Sequence, residues 1–329
     1  MSVFYIITLL TTLLLTALIL RFLIPVLKSK KMGQKILDIG PRWHKSKEGT
    51  PTMGGLSFII SFSVVSAVML LIAVYNGSAD NILSAVLTGF LALGNGLIGV
   101  IDDRTKFSKG KNEGLLSWQK YLLQLALCVV YLFFMKYFDF INTSIYIPFF
   151  KKTLELGIVY YPLAIILITG VVNSVNLTDG IDGLAAAETA IVSAFFSAVA
   201  FTLGSMTLAV FSGAAVGCCL GFLIYNFYPA KVFMGDTGSL FLGGLVAGMA
   251  FMANNPLIII VVGIMYICES LSDIIQVLYF KLTHGRRFFK MAPIHHHFEK
   301  CGWSEIKIVS VFSLITLLMS ALAYIFDII

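Results

Sequence analysis

Apolar runs of about 20 residues recur along the whole chain, each long enough to cross roughly 30 Å of hydrocarbon as a helix. They fall near 3–25, 53–75, 82–101, 117–137, 158–175, 184–203, 207–228, 238–254, 256–280 and 306–327, which predicts ten membrane helices. Connections after 75, 203 and 254 are turn-sized. Residues 138–157 alternate polar and apolar positions around 145–149, which predicts a small β-hairpin. No stretch between runs is long enough to hold a soluble core, and no convincing internal repeat is present. The expected fold is therefore all-α, a polytopic membrane protein forming one transmembrane domain over 1–329.

Four polar strings interrupt the apolar pattern: Asp-Asp-Arg-Thr-Lys at 102–106, Asn-Leu-Thr-Asp-Gly-Ile-Asp-Gly at 176–183, Phe-Met-Gly-Asp-Thr-Gly-Ser at 233–239 and Pro-Ile-His-His-His-Phe-Glu at 293–299. Composition agrees with a membrane chain, since 58% of 329 residues are hydrophobic and only 12% charged. The first run has no basic segment before it and no small-residue cleavage site, and Arg21 follows it, so it is expected to be a retained helix.

Charge changes the picture through its distribution. A net charge of +6 would suit nucleic acid, but 20 of the 23 basic residues fall in the loops after odd-numbered runs. The positive-inside rule then puts both termini outside and all four polar strings on the cytoplasmic face, so the basic charge reports orientation and no nucleic-acid partner is expected. The five cysteines show no CxxC spacing, and four lie in apolar runs, so neither zinc nor disulfide chemistry is signalled.

Gly213, Gly217 and Gly221 recur every fourth residue, as do Gly244 and Gly248, which predicts helices packed backbone to backbone. The GxGxxG match over 94–99 lies inside an apolar run with no strand before it, so close helix packing explains it better than a dinucleotide site.

Carboxylates are costly near lipid, and acids among Gly turns at helix ends suit a Mg2+-bound phosphate. Asp102 and Asp103 close the third run, where adjacent carboxylates need a cation or a proton between them. Asp179 and Asp182 are spaced to face the same way. Asp236 is expected to cap the eighth helix, whose backbone N–H groups suit phosphate. Phe233 is placed either to stack on a base or to anchor at the interface. Three consecutive histidines cannot converge on one metal, so His295, His296 and His297, with the nearby Arg286, Arg287 and Lys290, read as a loop gripping an anionic substrate or contacting lipid head groups. Lys47 precedes a rigid turn ahead of the second run, as an orientation anchor or a phosphate ligand. Glu269 and Asp273 share one face of the ninth run and would also suit an ion-coupled transporter.

In this order the strings resemble those of the polyprenyl-phosphate N-acetylhexosamine-1-phosphate transferases, and the histidine string resembles the phospho-N-acetylmuramoyl-pentapeptide branch of that family. The resemblance runs from Lys47 to Glu299. It implies ten transmembrane helices, a homodimer in the bacterial cytoplasmic membrane and a Mg2+-dependent cytoplasmic site. It also implies transfer of phospho-N-acetylmuramoyl-pentapeptide from UDP-N-acetylmuramoyl-pentapeptide to undecaprenyl phosphate, giving lipid I and UMP. By resemblance Asp236 is the Mg2+ ligand and Asp102 a base or nucleophile, with Lys106, Asp103, Asn176, Asp179 and Asp182 completing the polar site. Phe233 and Asn226 are expected on the uridine side, Lys47 and His296 on substrate phosphate or in catalysis, with His295 and His297 beside them. The family's ninth helix is broken, which would place Glu269 and Asp273 at the break. A sister transferase using UDP-N-acetylglucosamine and a transporter remain the alternatives.

Overall fold

Hydrocarbon offers no partner for main-chain N–H and C=O groups, so each apolar run must close its hydrogen bonds internally as a helix. The structure, a computed structural model, describes residues 1–30, 47–108 and 114–328. In chain order the helices are α1 (Ser2–Ser29), α2 (Gly55–Tyr75), α3 (Ile82–Ser108), α4 (Ser117–Tyr137), α5 (Tyr160–Thr178), α6 (Leu184–Leu203) and α7 (Met206–Asn226). They continue with α8 (Gly235–Met252), α9 (Ile258–Val262), α10 (Ile264–Leu282), α11 (Ile294–Lys300) and α12 (Glu305–Ala323). Nine helical segments among the described residues are long and apolar enough to cross a membrane, so the chain is an all-α polytopic membrane protein. Of the basic residues that set the expected orientation, Lys31, Lys35, Arg42, Lys45, Lys109 and Lys111 lie outside the described residues.

The predicted hairpin is present: β1 (Ser144–Ile147) pairs antiparallel with β2 (Lys152–Glu155), Ile145 opposite Leu154. Asp327, after α12, accepts the Phe149 amide at 3.0 Å and the Asn255 side chain at 2.8 Å, tying hairpin and chain end to one end of the bundle.

Three predicted boundaries are corrected. The run 256–280 is not one helix: it breaks at Gly263, whose φ −99° and ψ 27° leave helical geometry, and α9 is barely more than a turn. A glycine holds such a departure cheaply, and the break lies ahead of Glu269 and Asp273 rather than at them. Helix α3 runs past 101 to Ser108, because Asp102 and Lys106, one turn apart, pair at 2.7 Å and carry the helix on. Asp236 sits in the first turn of α8 rather than at its cap, which is Met234.

The glycine spacing has the predicted use. A Cβ on Gly217 would overlap the Leu9 carbonyl, and one on Gly221 would come within 2.5 Å of the Leu13 carbonyl, so α7 lies directly on α1. Thr8, Thr12 and Thr16 fill the α1 side of that contact fully buried, and the Thr8 and Thr12 hydroxyls return to the Phe4 and Thr8 carbonyls at 2.7 Å. Gly244 and Gly248 of α8 meet Ala92 and Thr88 of α3, and Gly99 meets the backbone of Asp236. Van der Waals contact at this range drives association where lipid offers no hydrophobic gain. The outward face of α1, with Val3, Leu14 and Phe22 exposed, suits lipid.

Candidate active site

The close α3–α8 crossing brings the first and third polar strings together. Asp102 and Asp103, buried, and Asp236, half-buried, each offer an oxygen within 4.8 Å of the others. Three hard oxygen donors at that spacing fit a divalent cation such as Mg2+. The Lys106 ammonium supplies positive charge there, 2.7 Å from Asp102, 3.1 Å from Asp236 and 3.5 Å from Asp103. Asp103 is held by the Thr237 amide at 2.9 Å and its hydroxyl at 2.7 Å. Asp102 accepts the Leu115 amide at 2.8 Å. Asn176, near the end of α5, donates to Asp236 at 3.0 Å and to Ser239 at 2.7 Å. Gly235, with φ +69°, lets the chain turn into α8, and a Cβ there would lie 2.6 Å from the Asp103 carboxylate. Three of the four polar strings thus meet at one end of the bundle.

Lys120, in the first turn of α4, reaches Asp236 at 2.6 Å. In the sequence it counted only as an orientation charge. The signal was its place at a helix start on the same expected face as the acids.

Asp182 and Asp179 divide. Asp182 is buried against Lys47 at 2.7 Å and accepts the Ala230 amide at 2.9 Å. Lys47 also pairs with Glu305 at 2.6 Å, a second residue that sequence reasoning missed. The signal was an acid directly after Ser304, in an N-cap position before an apolar run. Asn226 is buried, its side chain joining the Gly183 amide at 3.1 Å to the Val232 carbonyl at 2.9 Å. Phe233 is half-buried on the adjacent connection, its amide bonded to the Pro51 carbonyl at 2.8 Å.

Asp179 follows α5. Burial pushes its carboxyl well above the usual aspartate range, and the negative charges of Asp236, Asp103 and Asp182 add to it. A raised folded pKa means that the unfolded chain ionises first as pH rises from about 4, so stability falls across that window. Asp179→Asn removes the cost. We expect it to raise the melting temperature by a few degrees at pH 7, with the gain vanishing near pH 4; equal melting at both values would show that Asp179 carries no such cost.

The fourth string is split by its own helix. His295, fully buried, lies 3.0 Å from Glu269 of α10, and its ring abuts Gly180 in the second string. His296 faces Glu299 at 2.6 Å, and His297 accepts the Lys290 amide at 3.1 Å. The fourth string therefore packs against the second, while Asp273 is half-buried further along α10.

A carboxylate cluster with oxygen spacing for a divalent cation thus lies at the helix ends of a membrane bundle. The model of the family described as glycosyl transferase family 4 matches residues 83–254. Phospho-N-acetylmuramoyl-pentapeptide-transferase signature 1 matches residues 47–59. A phospho-N-acetylmuramoyl-pentapeptide-transferase of Clostridium kluyveri is 45% identical over 302 residues, covering 92% of this chain and 92% of its own. One from Clostridium botulinum is 49% identical over 304 residues, covering 92% and 90%. One from Caldanaerobacter subterraneus is 47% identical over 298 residues, covering 91% and 90%. The chain belongs to glycosyl transferase family 4 and, within it, to the phospho-N-acetylmuramoyl-pentapeptide-transferases.

Proposed function

We propose that this protein transfers phospho-N-acetylmuramoyl-pentapeptide from UDP-N-acetylmuramoyl-pentapeptide to undecaprenyl phosphate, releasing UMP and leaving lipid I. It works as one transmembrane domain, a homodimer, in the bacterial cytoplasmic membrane with its site toward the cytoplasm. The observation that carries this reading is the Asp102, Asp103 and Asp236 cluster with its two lysines, in a chain whose relatives bear that activity in their names.

An oxygen of the lipid phosphate bonds to the phosphorus attached to the sugar. The bond from that phosphorus to the bridging oxygen breaks, and its electron pair leaves with UMP. Two anions must approach each other, so catalysis is mainly charge neutralisation and alignment. A Mg2+ ion on Asp236, with Asp102 and Asp103 beside it, would supply neutralising charge to the phosphates. Lys106 and Lys120 bring two further positive charges to the same carboxylates. Asn176 and Thr237 hold Asp236 and Asp103 in orientation.

A phosphomonoester has a second pKa of about 6 and is mostly a dianion at neutral pH, so a general base is hardly needed. Asp102 has one oxygen on the Leu115 amide and the other on Lys106, an arrangement that favours direct attack over a covalent phospho-aspartate. On this reading Phe233 offers a ring to the uridine side, Asn226 shapes the connection that carries it, and the fourth string with His295, His296 and His297 borders the sugar phosphate.

The test is UMP release by purified protein with undecaprenyl phosphate and Mg2+, given either UDP-N-acetylmuramoyl-pentapeptide or UDP-N-acetylglucosamine. Release with the first donor alone supports the reading. Release with the second would assign the protein to the sister reaction.

A further inference from the structure

Glu305 opens α12 behind Ser304, whose hydroxyl accepts the Lys307 amide at 3.3 Å. One carboxylate oxygen of Glu305, Oε2, accepts both the Lys47 ammonium at 2.6 Å and the Asp182 amide at 2.9 Å. The same ammonium reaches Asp182 Oδ1 at 2.7 Å, and Asp182 Oδ2 accepts the Ala230 amide at 2.9 Å. The side chains of Lys47, Asp182 and Glu305 are only 14%, 2% and 10% exposed, so little water competes for these charge-assisted bonds. Four segments meet here: the chain at Lys47, the turn before α6, the connection from α7 to α8, and α12. Asn226 extends the network to Val232, next to Phe233.

We propose that Glu305 is a positioning residue for the nucleotide-sugar donor, acting through Lys47 and through the turn and connection that Asp182 ties together. The inference rests on the function proposed above. An ammonium has three donors, and two of Lys47's are taken by carboxylates. The flexible lysine is thereby fixed and its charge is neutralised, and its third N–H is the one that neither carboxylate takes, with the centre of the Tyr228 ring 5.9 Å from the nitrogen. Without the Glu305 charge, Lys47 keeps a single carboxylate, and a neutral carbonyl oxygen stands where the carboxylate took both the ammonium and the Asp182 amide. The effect belongs on donor binding, because Glu305 lies outside the Asp102, Asp103 and Asp236 cluster.

The experiment compares Glu305→Gln, Glu305→Asp, Lys47→Met and the Glu305→Gln/Lys47→Met double variant as purified full-length protein. Donor KM, acceptor KM, kcat and melting temperature are measured for each. Loss of one bond to a charged group predicts that Glu305→Gln raises donor KM about 10-fold. Acceptor KM and Mg2+ dependence stay within about 2-fold, and the double variant is no worse than Lys47→Met alone by more than about 2-fold. Glu305→Asp keeps the charge and falls between wild type and Glu305→Gln. Multiplicative effects in the double variant would overturn the proposal. So would an unchanged donor KM with activity falling only in step with melting temperature. Wild-type protein that releases no UMP overturns the proposed function and this inference with it, whereas normal wild-type turnover with independent variants overturns this inference alone.

Discussion

Asp236→Asn is expected to leave the protein folded and to lower kcat by roughly 10³-fold or more, the scale of losing transition-state charge stabilisation in phosphoryl transfer. Asp236 Oδ2 takes the ammonium groups of both Lys106 and Lys120, and Oδ1 accepts from Asn176. An asparagine keeps the shape and one carbonyl acceptor but loses the charge. Lys106 retains Asp102. Lys120, 19% exposed, can turn toward water, so the fold survives. The cluster no longer offers three anionic oxygens to a divalent cation, and raising Mg2+ does not restore the rate. The measurement is kcat against Mg2+ concentration. Near-normal turnover with an unchanged Mg2+ profile would show that Asp236 holds no metal.

Gly99→Ala should be nearly as damaging, though Gly99 carries no chemistry. A Cβ at this position would overlap the carbonyl of Asp236 and lie 2.6 Å from the Thr237 amide, and both are backbone atoms that cannot swing aside. Overpacking of this kind costs about 3 kcal/mol. The gain in helix propensity from Gly to Ala returns only about 1 kcal/mol, so the substitution is destabilising. Pushing α8 away from α3 also moves Asp236 and Thr237 relative to Asp103, and a displacement of about 1 Å can cost 10²-fold in rate. Thermal melting and UMP release should fall together. Wild-type values for both would mean that α3 and α8 are free to separate without loss.

The helices were legible because lipid leaves the backbone no alternative, and the hairpin because its alternation stands out from continuous apolar runs. The glycine spacing on α7 and α8 was legible for the same reason, since small residues one turn apart have one main use in a helix interface. Thr8, Thr12 and Thr16, also one turn apart, form the matching face of α1, which became evident only in the fold. Helix ends were less legible. Asp102 looked like the end of an apolar run, and only its pairing with Lys106 shows that the helix continues. Gly263 was one glycine among 28, and nothing in its neighbours distinguished a break from a packing position. Lys120 and Glu305 were hidden because each is joined to its partner across more than a hundred residues of chain. Glu269, which would also have suited a transporter, is fully buried beside His295.

The proposed activity is transfer of a phosphosugar to a lipid phosphate by the aspartate cluster with a divalent cation. The most direct measurement is UMP release by the purified protein with UDP-N-acetylmuramoyl-pentapeptide, with and without undecaprenyl phosphate and with and without EDTA. Release is expected only when acceptor and Mg2+ are both present, with one lipid-linked sugar formed per UMP. Undiminished release in EDTA, or stoichiometric release before any acceptor is added, would contradict it.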